Sequence, residues 1–158
     1  MFWDYVTVFF ISMVPLVELR VAMPYATEVL GLPFWESLAV CVIGNMVPVP
    51  FIYFFARKVL LWGADKKFIG RFFRFCLRKG ERAGEKLVKT AGRNGLFVAM
   101  LLFVGIPIPG TGAWTGTLAA SFLDMGFRTT TAAVSLGVVM AGIIMAVTSS
   151  GVLAVLGF

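Results

Sequence analysis

The chain has 158 residues, the length of one domain, and its 59% hydrophobic residues and mean hydropathy of +0.93 exceed what a water-soluble domain carries. These values exclude an ordinary soluble domain and indicate an integral membrane protein. The formal charge is +6, but 12 of the 14 Lys and Arg residues fall between Arg57 and Arg93. This distribution argues against nucleic-acid binding and, by the positive-inside rule, predicts that segment 57–93 is cytoplasmic.

The residue types that are missing limit the chemistry of the chain. The sequence contains no histidine, the commonest general base and metal ligand, and no recognisable arrangement of a nucleophile. We therefore expect no enzyme activity, no catalytic residue, no metal and no cofactor. Cys41 lies in an apolar run and Cys76 in a basic one, so no disulfide is expected. The first residues lack a basic n-region, and no cleavable signal peptide is expected.

The first apolar segment is broken close to its charged residues. Tyr5 to Val17 provides 13 uncharged residues, which as a helix reach about 20 Å, less than the ~30 Å hydrocarbon core. Pro15 interrupts the helix just before the charged pair Glu18 and Arg20. A hairpin over residues 3–30 that enters the membrane and returns fits this length, and one continuous kinked helix is the alternative.

A long apolar helix is predicted over residues 34–62. Its 20 uncharged residues from Ser37 to Ala56 suffice to cross a bilayer, and basic residues follow them. Asn45 lies in this run, one turn before two prolines, where it can form a hydrogen bond to the first hairpin. We count Asn45 among the candidate site residues.

The basic linker 63–93 has the pattern of an amphipathic helix. Such a helix lies on the cytoplasmic leaflet, where it is anchored to anionic lipid headgroups. The apolar positions at four-residue spacing are Phe68, Ile69, Phe72, Phe73, Cys76 and Leu77, and the basic positions are Lys67, Arg71, Arg74, Arg78 and Arg82.

The second half repeats the order of the first. Leu96 to Ile108 again gives 13 residues before a break, so a second hairpin is predicted over residues 95–122. Thr129 to Phe158 then runs for 30 residues without a charge, and a second long helix is predicted over residues 128–157. The residues expected to break helices in the two halves are Pro15, Pro24, Pro48, Pro50 and Pro107.

These elements predict an all-α integral membrane protein with one membrane domain, residues 1–158. Two inverted repeats, residues 1–62 and 94–158, each consist of a re-entrant, broken-helix hairpin and a long transmembrane helix, and the cytoplasmic amphipathic helix joins them. Both termini are then outside. Paired interrupted segments in inverted halves are typical of transporters with a site near the bilayer midplane. Two kinked ordinary helices in a four-helix bundle are the alternative.

Two motifs at the broken segments resemble those of a known family. They are Pro15-x-x-Glu18-x-Arg20-x-Ala22-x-Pro24 and Pro107-x-Pro109-Gly110-Thr111-Gly112-Ala113-Trp114-Thr115-Gly116. Over nearly its whole length the chain resembles the putative small multi-drug export protein family, which is similar to the DedA superfamily of bacterial membrane proteins. DedA members are pictured with two opposed re-entrant hairpins and are linked to translocation of lipid phosphates such as undecaprenyl phosphate. The resemblance implies a transporter or scramblase in which Glu18 is the acid after the first break and Pro109-Gly110 is the second tip.

Glu18 and Arg20 are the main candidates for function, because ionisable side chains at membrane depth are costly. Burial raises the pKa of a carboxyl group, so Glu18 can carry a proton, and a structural hydrogen-bonding role is the alternative. Arg20 stays charged and can hold an anion or balance a carboxylate. The two residues are two positions apart and do not face each other on a helix.

The second tip supplies the remaining candidate site residues. Backbone amides around Pro109, Gly110, Thr111 and Gly112 can face an anion, although small residues there also permit close packing. Trp114 can contact the tail of a substrate, and packing within the protein is the alternative.

The leading hypothesis is a transporter in a bacterial or archaeal cytoplasmic membrane. It moves an amphiphilic, anionic lipid-phosphate substrate, coupled to protons through Glu18, between the two opposed hairpins. The alternatives are an exporter of lipophilic cationic drugs, with Glu18 as counter-charge, and a non-transporting assembly factor. Expected partners are anionic lipids, an amphiphilic substrate and protons, but no nucleic acid. A homodimer is favoured because four membrane elements form a thin wall around a cavity.

Overall fold

The described part of the chain is helical and contains no strand. The computed structural model describes residues 1–15, 17–66, 70–108 and 111–156, without the side chains of some residues between 57 and 91 and from 150 onward. The elements in chain order are α1 (Phe2–Met13), α2 (Glu18–Pro24), a π-helical segment (Tyr25–Val29), α3 (Phe34–Met46), α4 (Pro48–Ala64), α5 (Gly70–Gly105), α6 (Ala113–Phe122) and α7 (Phe127–Leu156). The prediction of an all-α protein is confirmed for these residues.

Two helices are long and apolar enough to cross a membrane. They are Phe34–Ala64, which joins α3 to α4, and Phe127–Ser149 within α7. Val47 alone interrupts the first, because Pro48 and Pro50 at the start of α4 lack the N–H groups that continue a helix. Both helices lie where the sequence predicts long transmembrane helices.

The chain folds back on itself before each long helix. Helix α1 packs against α2 and against the π segment, which a single continuous helix would keep apart. Helix α5 is bent at Gly92, where φ is 70° and ψ is 178°, and it packs against α6. The two hairpins are therefore a property of the packing, whereas their depth in the membrane and inverted relation stay predictions.

Pro24 does not break the first hairpin as expected. It is the last residue of α2, and the helix continues directly into the π segment Tyr25–Val29. A proline removes one N–H bond and crowds the preceding turn, but the backbone stays helical through it, and in the next turn the Leu30 N–H bonds to the Tyr25 carbonyl. The result is a local change of helix type, with no break until Leu30.

Helix α7 is the centre of the packing, since it contacts α2, α3, α5 and α6. Two of its small residues make these approaches close. A Cβ atom at Gly137 would overlap Val104 of α5, and one at Gly142 would overlap Leu38 of α3. These glycines serve contacts within the chain, and the predicted homodimer needs another surface.

Aromatic residues join the first long helix to its neighbours. Near its start, Tyr5 of α1 donates a hydrogen bond to the Glu36 carboxylate. In its second half, the Phe54 ring lies 4.9 Å from the ring of Phe127, the first residue of α7. These contacts connect the helix to the first hairpin and to the second long helix.

Substitution of Gly44 in α3 tests the packing of the first hairpin against the first long helix. A methyl group there would overlap Ser12 of α1, so Gly44→Ala should lower stability by about 1–3 kcal/mol through overpacking. The measurement is the apparent midpoint of thermal unfolding in detergent. Gly126→Ala is the control, because its Cβ would meet only Thr129 Oγ1, at 4.0 Å. Equal midpoints for the two variants would contradict the close α1–α3 contact.

Candidate functional site

The described residues around the two breaks contact each other. Met13, Glu18 and Arg20 of the first hairpin share hydrogen bonds with residues of the second, and we call this contact the hairpin junction; the partners are Ile108, Thr111, Ala113 and Trp114. Broken helices leave N–H and C=O groups without intrahelical partners, and in a membrane these groups need partners from the protein. The junction supplies such partners from the opposite hairpin.

Glu18 binds the beginning of α6. Its side chain is only 4% exposed, and its carboxylate accepts hydrogen bonds from the backbone N–H of Ala113, at 3.3 Å, and of Trp114, at 3.1 Å. These are the first two residues of α6, whose N-terminal amides carry the partial positive charge of the helix. Glu18 therefore caps α6 from another hairpin, with a charge-assisted bond to each amide.

Arg20 binds the opposite kind of backbone group. Its guanidinium donates one hydrogen bond to the Ile108 carbonyl and one, of 2.6 Å, to Thr111 Oγ1. The Thr111 hydroxyl itself lies 2.9 Å from the Ile108 carbonyl and 3.0 Å from the Ile106 carbonyl. Both of these hydrogen-bond acceptors are neutral, and the Glu18 carboxylate lies close enough to interact with the charge of the guanidinium.

Gly112 and Trp114 complete the junction. Gly112 has a φ of 144°, and a Cβ atom at this position would overlap the Glu18 carboxylate, so glycine is required on both counts. The Trp114 indole Nε1 donates a hydrogen bond of 3.2 Å to the carbonyl of Met13, the last residue of α1. The tip of the second hairpin thus also satisfies the end of α1.

The backbone at Glu18 is strained. Its φ of 50° lies in the left-handed region, which a residue with a long side chain rarely adopts. Such outliers cost about 1–3 kcal/mol and persist where the surroundings over-determine them. Here the two α6 amides hold the carboxylate in place.

A groove of about 610 Å³ begins at the junction, between the first hairpin and α7. We call it the α2–α7 groove. Its polar lining consists of Arg20, Glu28, Thr148 and Ser149, and its apolar lining of Val21, Pro24, Tyr25, Val29 and Met145. Arg20 both binds the second hairpin and lines the groove. We call the end of the groove at Arg20, where it meets the junction, its inner end.

The predicted site residues have different positions relative to these features. The structure brings Glu18, Arg20, Thr111, Gly112 and Trp114 together at the junction, and only Arg20 of these also lines the groove. Pro109 and Gly110 lie outside the described residues.

Asn45 does not join the junction through any described contact. It lies on α3, is 2% exposed, and its Oδ1 accepts no hydrogen bond from the described residues. The predicted functional roles of Asn45 and of the junction residues stay predictions.

Sequence reasoning missed most of the groove. Arg20, Pro24 and Glu28 are four residues apart and therefore share one helical face, a signal that was available from spacing. The contribution of Thr148 and Ser149 was not foreseeable, because it depends on how α7 crosses the first hairpin.

Comparison with known proteins identifies a family. The sequence profile of a family described as putative small multi-drug export protein matches residues 18–144, more than half of the chain. This match confirms the resemblance stated from the two motifs, while the similarity to the DedA superfamily stays a prediction. A search of curated proteins and a search of solved structures each gave no match.

The bonds of Glu18 to α6 predict a loss of stability when its charge is removed. Glu18→Gln places an N–H donor beside the α6 amides, and Gly112→Ala displaces the carboxylate. Each variant should lower stability by about 1.5–3 kcal/mol, the usual contribution of hydrogen bonds to a charged group.

The measurement is again the apparent midpoint of thermal unfolding in detergent. Asp65→Asn is the control, because Asp65 is exposed at the end of α4 and its loss of charge should change stability by at most about 0.5 kcal/mol. A Glu18→Gln protein as stable as the parent chain would show that the amide bonds contribute no net stability.

Proposed function

The chain belongs to the putative small multi-drug export protein family, and from this premise we propose that it exports amphiphilic molecules along the α2–α7 groove. The groove is the observation that carries the proposal. Its volume of about 610 Å³ is within the range of ligand sites, roughly 300–1,000 Å³. Mostly apolar walls with a cation at the inner end suit a molecule that has an oily tail and a polar head.

The charge at the inner end favours an anionic head, such as a lipid phosphate. The described hydrogen bonds of Arg20 go to the neutral Ile108 carbonyl and Thr111 hydroxyl, and the Glu18 carboxylate, which also interacts with its charge, is bound to the α6 amides. We therefore expect the charge of Arg20 to attract an anion that enters the groove. A guanidinium also presents a planar fork of donors that fits phosphate oxygens. The substrate therefore places its head at Arg20 and its tail along Val21, Tyr25 and Met145.

Proton coupling through Glu18 acts at the junction and not in the groove. Protonation removes the negative charge that binds the α6 amides, which weakens the contact between the two hairpins. A proton on Glu18 thus favours separation of the hairpins. This places coupling at the contact that closes the inner end of the groove.

The predicted topology turns this geometry into an alternating-access scheme. With segment 57–93 cytoplasmic and both termini outside, the first hairpin enters from outside and the second from inside, as inverted repeats. The groove then reaches from the junction toward the outer face of a cytoplasmic membrane. In this scheme the arrangement described above is the outward-open state, and the junction closes the path from the cytoplasm.

Export of lipophilic cations is a second candidate function, and a specific residue favours it. Glu28 lines the groove, whereas Glu18 is bound to α6, so Glu28 is the carboxylate that would meet a cationic drug. Tyr25 beside it offers an aromatic face to a cation. A non-transporting assembly factor would move neither class of molecule.

Labelling of single cysteines from each side of the membrane tests the re-entrant hairpins. The variants Phe2→Cys and Trp35→Cys flank the first hairpin, and Arg93→Cys and Arg128→Cys flank the second, all at exposed positions. In a background without Cys41 and Cys76, an impermeant maleimide should label the first pair from outside and the second pair from inside. A pair labelled from opposite sides would show that its hairpin crosses the membrane.

Transport in proteoliposomes tests the role of Arg20. Arg20→Gln should slow translocation of a fluorescent phosphatidylglycerol about tenfold, the effect of losing a contact of about 1.4 kcal/mol. Thr111→Val separates charge from structure, because it removes a hydrogen bond of Arg20 but keeps the guanidinium. We expect the Thr111→Val protein to retain most of the anionic-lipid transport.

The Glu28→Gln variant and transport of a cationic dye distinguish the anion transporter from the cation exporter. If the substrate is anionic, Glu28→Gln leaves lipid transport intact and the dye is not moved. Dye export that depends on Glu28 and tolerates Arg20→Gln would favour the cation exporter. Equal losses in Arg20→Gln and Thr111→Val would reduce Arg20 to a structural residue, and an inactive parent chain would favour the assembly factor.

A further inference from the structure

We propose that the first part of α5, residues 70–91, is a docking surface for the headgroups of anionic phospholipids. It lies apart from the α2–α7 groove and concerns how the protein holds the membrane surface, not what it transports. Three features support it: the arrangement of its cations, its opposite apolar face and the attachment of both its ends.

The exposed cations form one stripe along the helix. At 100° per residue, Arg71, Arg74, Arg78, Arg82 and Lys89 fall within an arc of about 80°, and all five are exposed. Residues 70–93 contain eight basic residues and two acidic ones, so the segment has a strong positive potential. We call the five aligned residues the basic stripe.

The sequence places apolar residues on the opposite side of the same helix. By the same rotation they lie on an arc centred about 180° from the stripe, and they are Phe72, Phe73, Cys76, Leu77, Leu87 and Val88. A helix with one basic and one apolar face binds at the boundary between lipid headgroups and acyl chains. A nucleic-acid partner would leave this apolar face without a function.

Both ends of the segment are attached to membrane helices. At its start, Arg74 donates a hydrogen bond of 2.6 Å to the Ala64 carbonyl at the end of α4. At its end, the positive φ of Gly92 turns the chain into the apolar helix Gly92–Gly105. In the predicted topology both ends are on the cytoplasmic side, so a helix of 22 residues, about 33 Å long, lies along that surface.

The test follows the exposure of this helix in nanodiscs that hold the full chain. A fluorophore is attached at Phe75→Cys, an exposed position near the stripe, in a background without Cys41 and Cys76. Quenching by the neutral, water-soluble acrylamide reports whether the helix is docked. Discs of phosphatidylcholine alone are compared with discs that also contain phosphatidylglycerol.

We expect quenching to fall several-fold when phosphatidylglycerol is present. About 1 M salt, which shortens the Debye length to about 3 Å, should reverse this protection. The stripe variant Arg78→Gln, Arg82→Gln, Lys89→Gln should lose it, since each removed cation weakens association about fivefold. The matched control is Lys58→Gln, Arg93→Gln, Arg128→Gln, three exposed cations outside residues 70–91, and it should keep the protection.

Three results would overturn the proposal: equal quenching in the two kinds of disc, insensitivity of the parent chain to salt, or equal losses in the stripe and control variants. Protection by added RNA in discs of phosphatidylcholine alone, as large as that by phosphatidylglycerol, would assign the stripe to nucleic acid instead. The salt series uses the unmodified stripe, so the test does not depend on folding of the variants.

Discussion

The interaction on which the structure depends is the contact of the Glu18 carboxylate with the first amides of α6. A helix that begins inside a membrane has N–H groups that neither water nor its own turns can satisfy. Glu18 supplies both acceptors from the other hairpin, and Arg20, two residues later, supplies donors to the carbonyl and hydroxyl groups before that helix. The two opposite charges in this apolar segment thus match the two kinds of backbone group at the break: the acid accepts from N–H groups, and the base donates to a carbonyl group.

Much of the fold was predictable from the sequence because it depends on length and periodicity. An uncharged run of 30 residues, and runs of 13 that contain a proline near their end, distinguish the long helix α7 from the short hairpin helices. Pro24 shows the limit of this reasoning. A proline indicates that one backbone hydrogen bond is missing, but the helix can continue past it, as it does here into the π segment, instead of ending. Whether it continues depends on the packing around it.

The sequence predicted which residues belong to the candidate site better than it predicted the contacts between them. Intramembrane charges and the glycine-rich tip are visible as exceptions to an oily sequence, so Glu18, Arg20 and Gly112 could be named. Which amide each charge meets depends on how two distant hairpins approach, and no local pattern encodes that. The groove depends on the crossing of α7, so Ser149 could not be assigned to it from its position in the chain.

The junction and the groove are coupled because Arg20 belongs to both. In the proposed scheme, opening of the inner end of the groove separates Arg20 from the Ile108 carbonyl and Glu18 from the α6 amides. These backbone groups then need new partners, which in the membrane interior are water or the head of a substrate. An anionic head offers acceptors to the same α6 amides and to Arg20, whereas a cationic head offers none to them. In the proposed scheme an anion therefore stabilises the open junction directly, and a cation would require hydration of both helix ends.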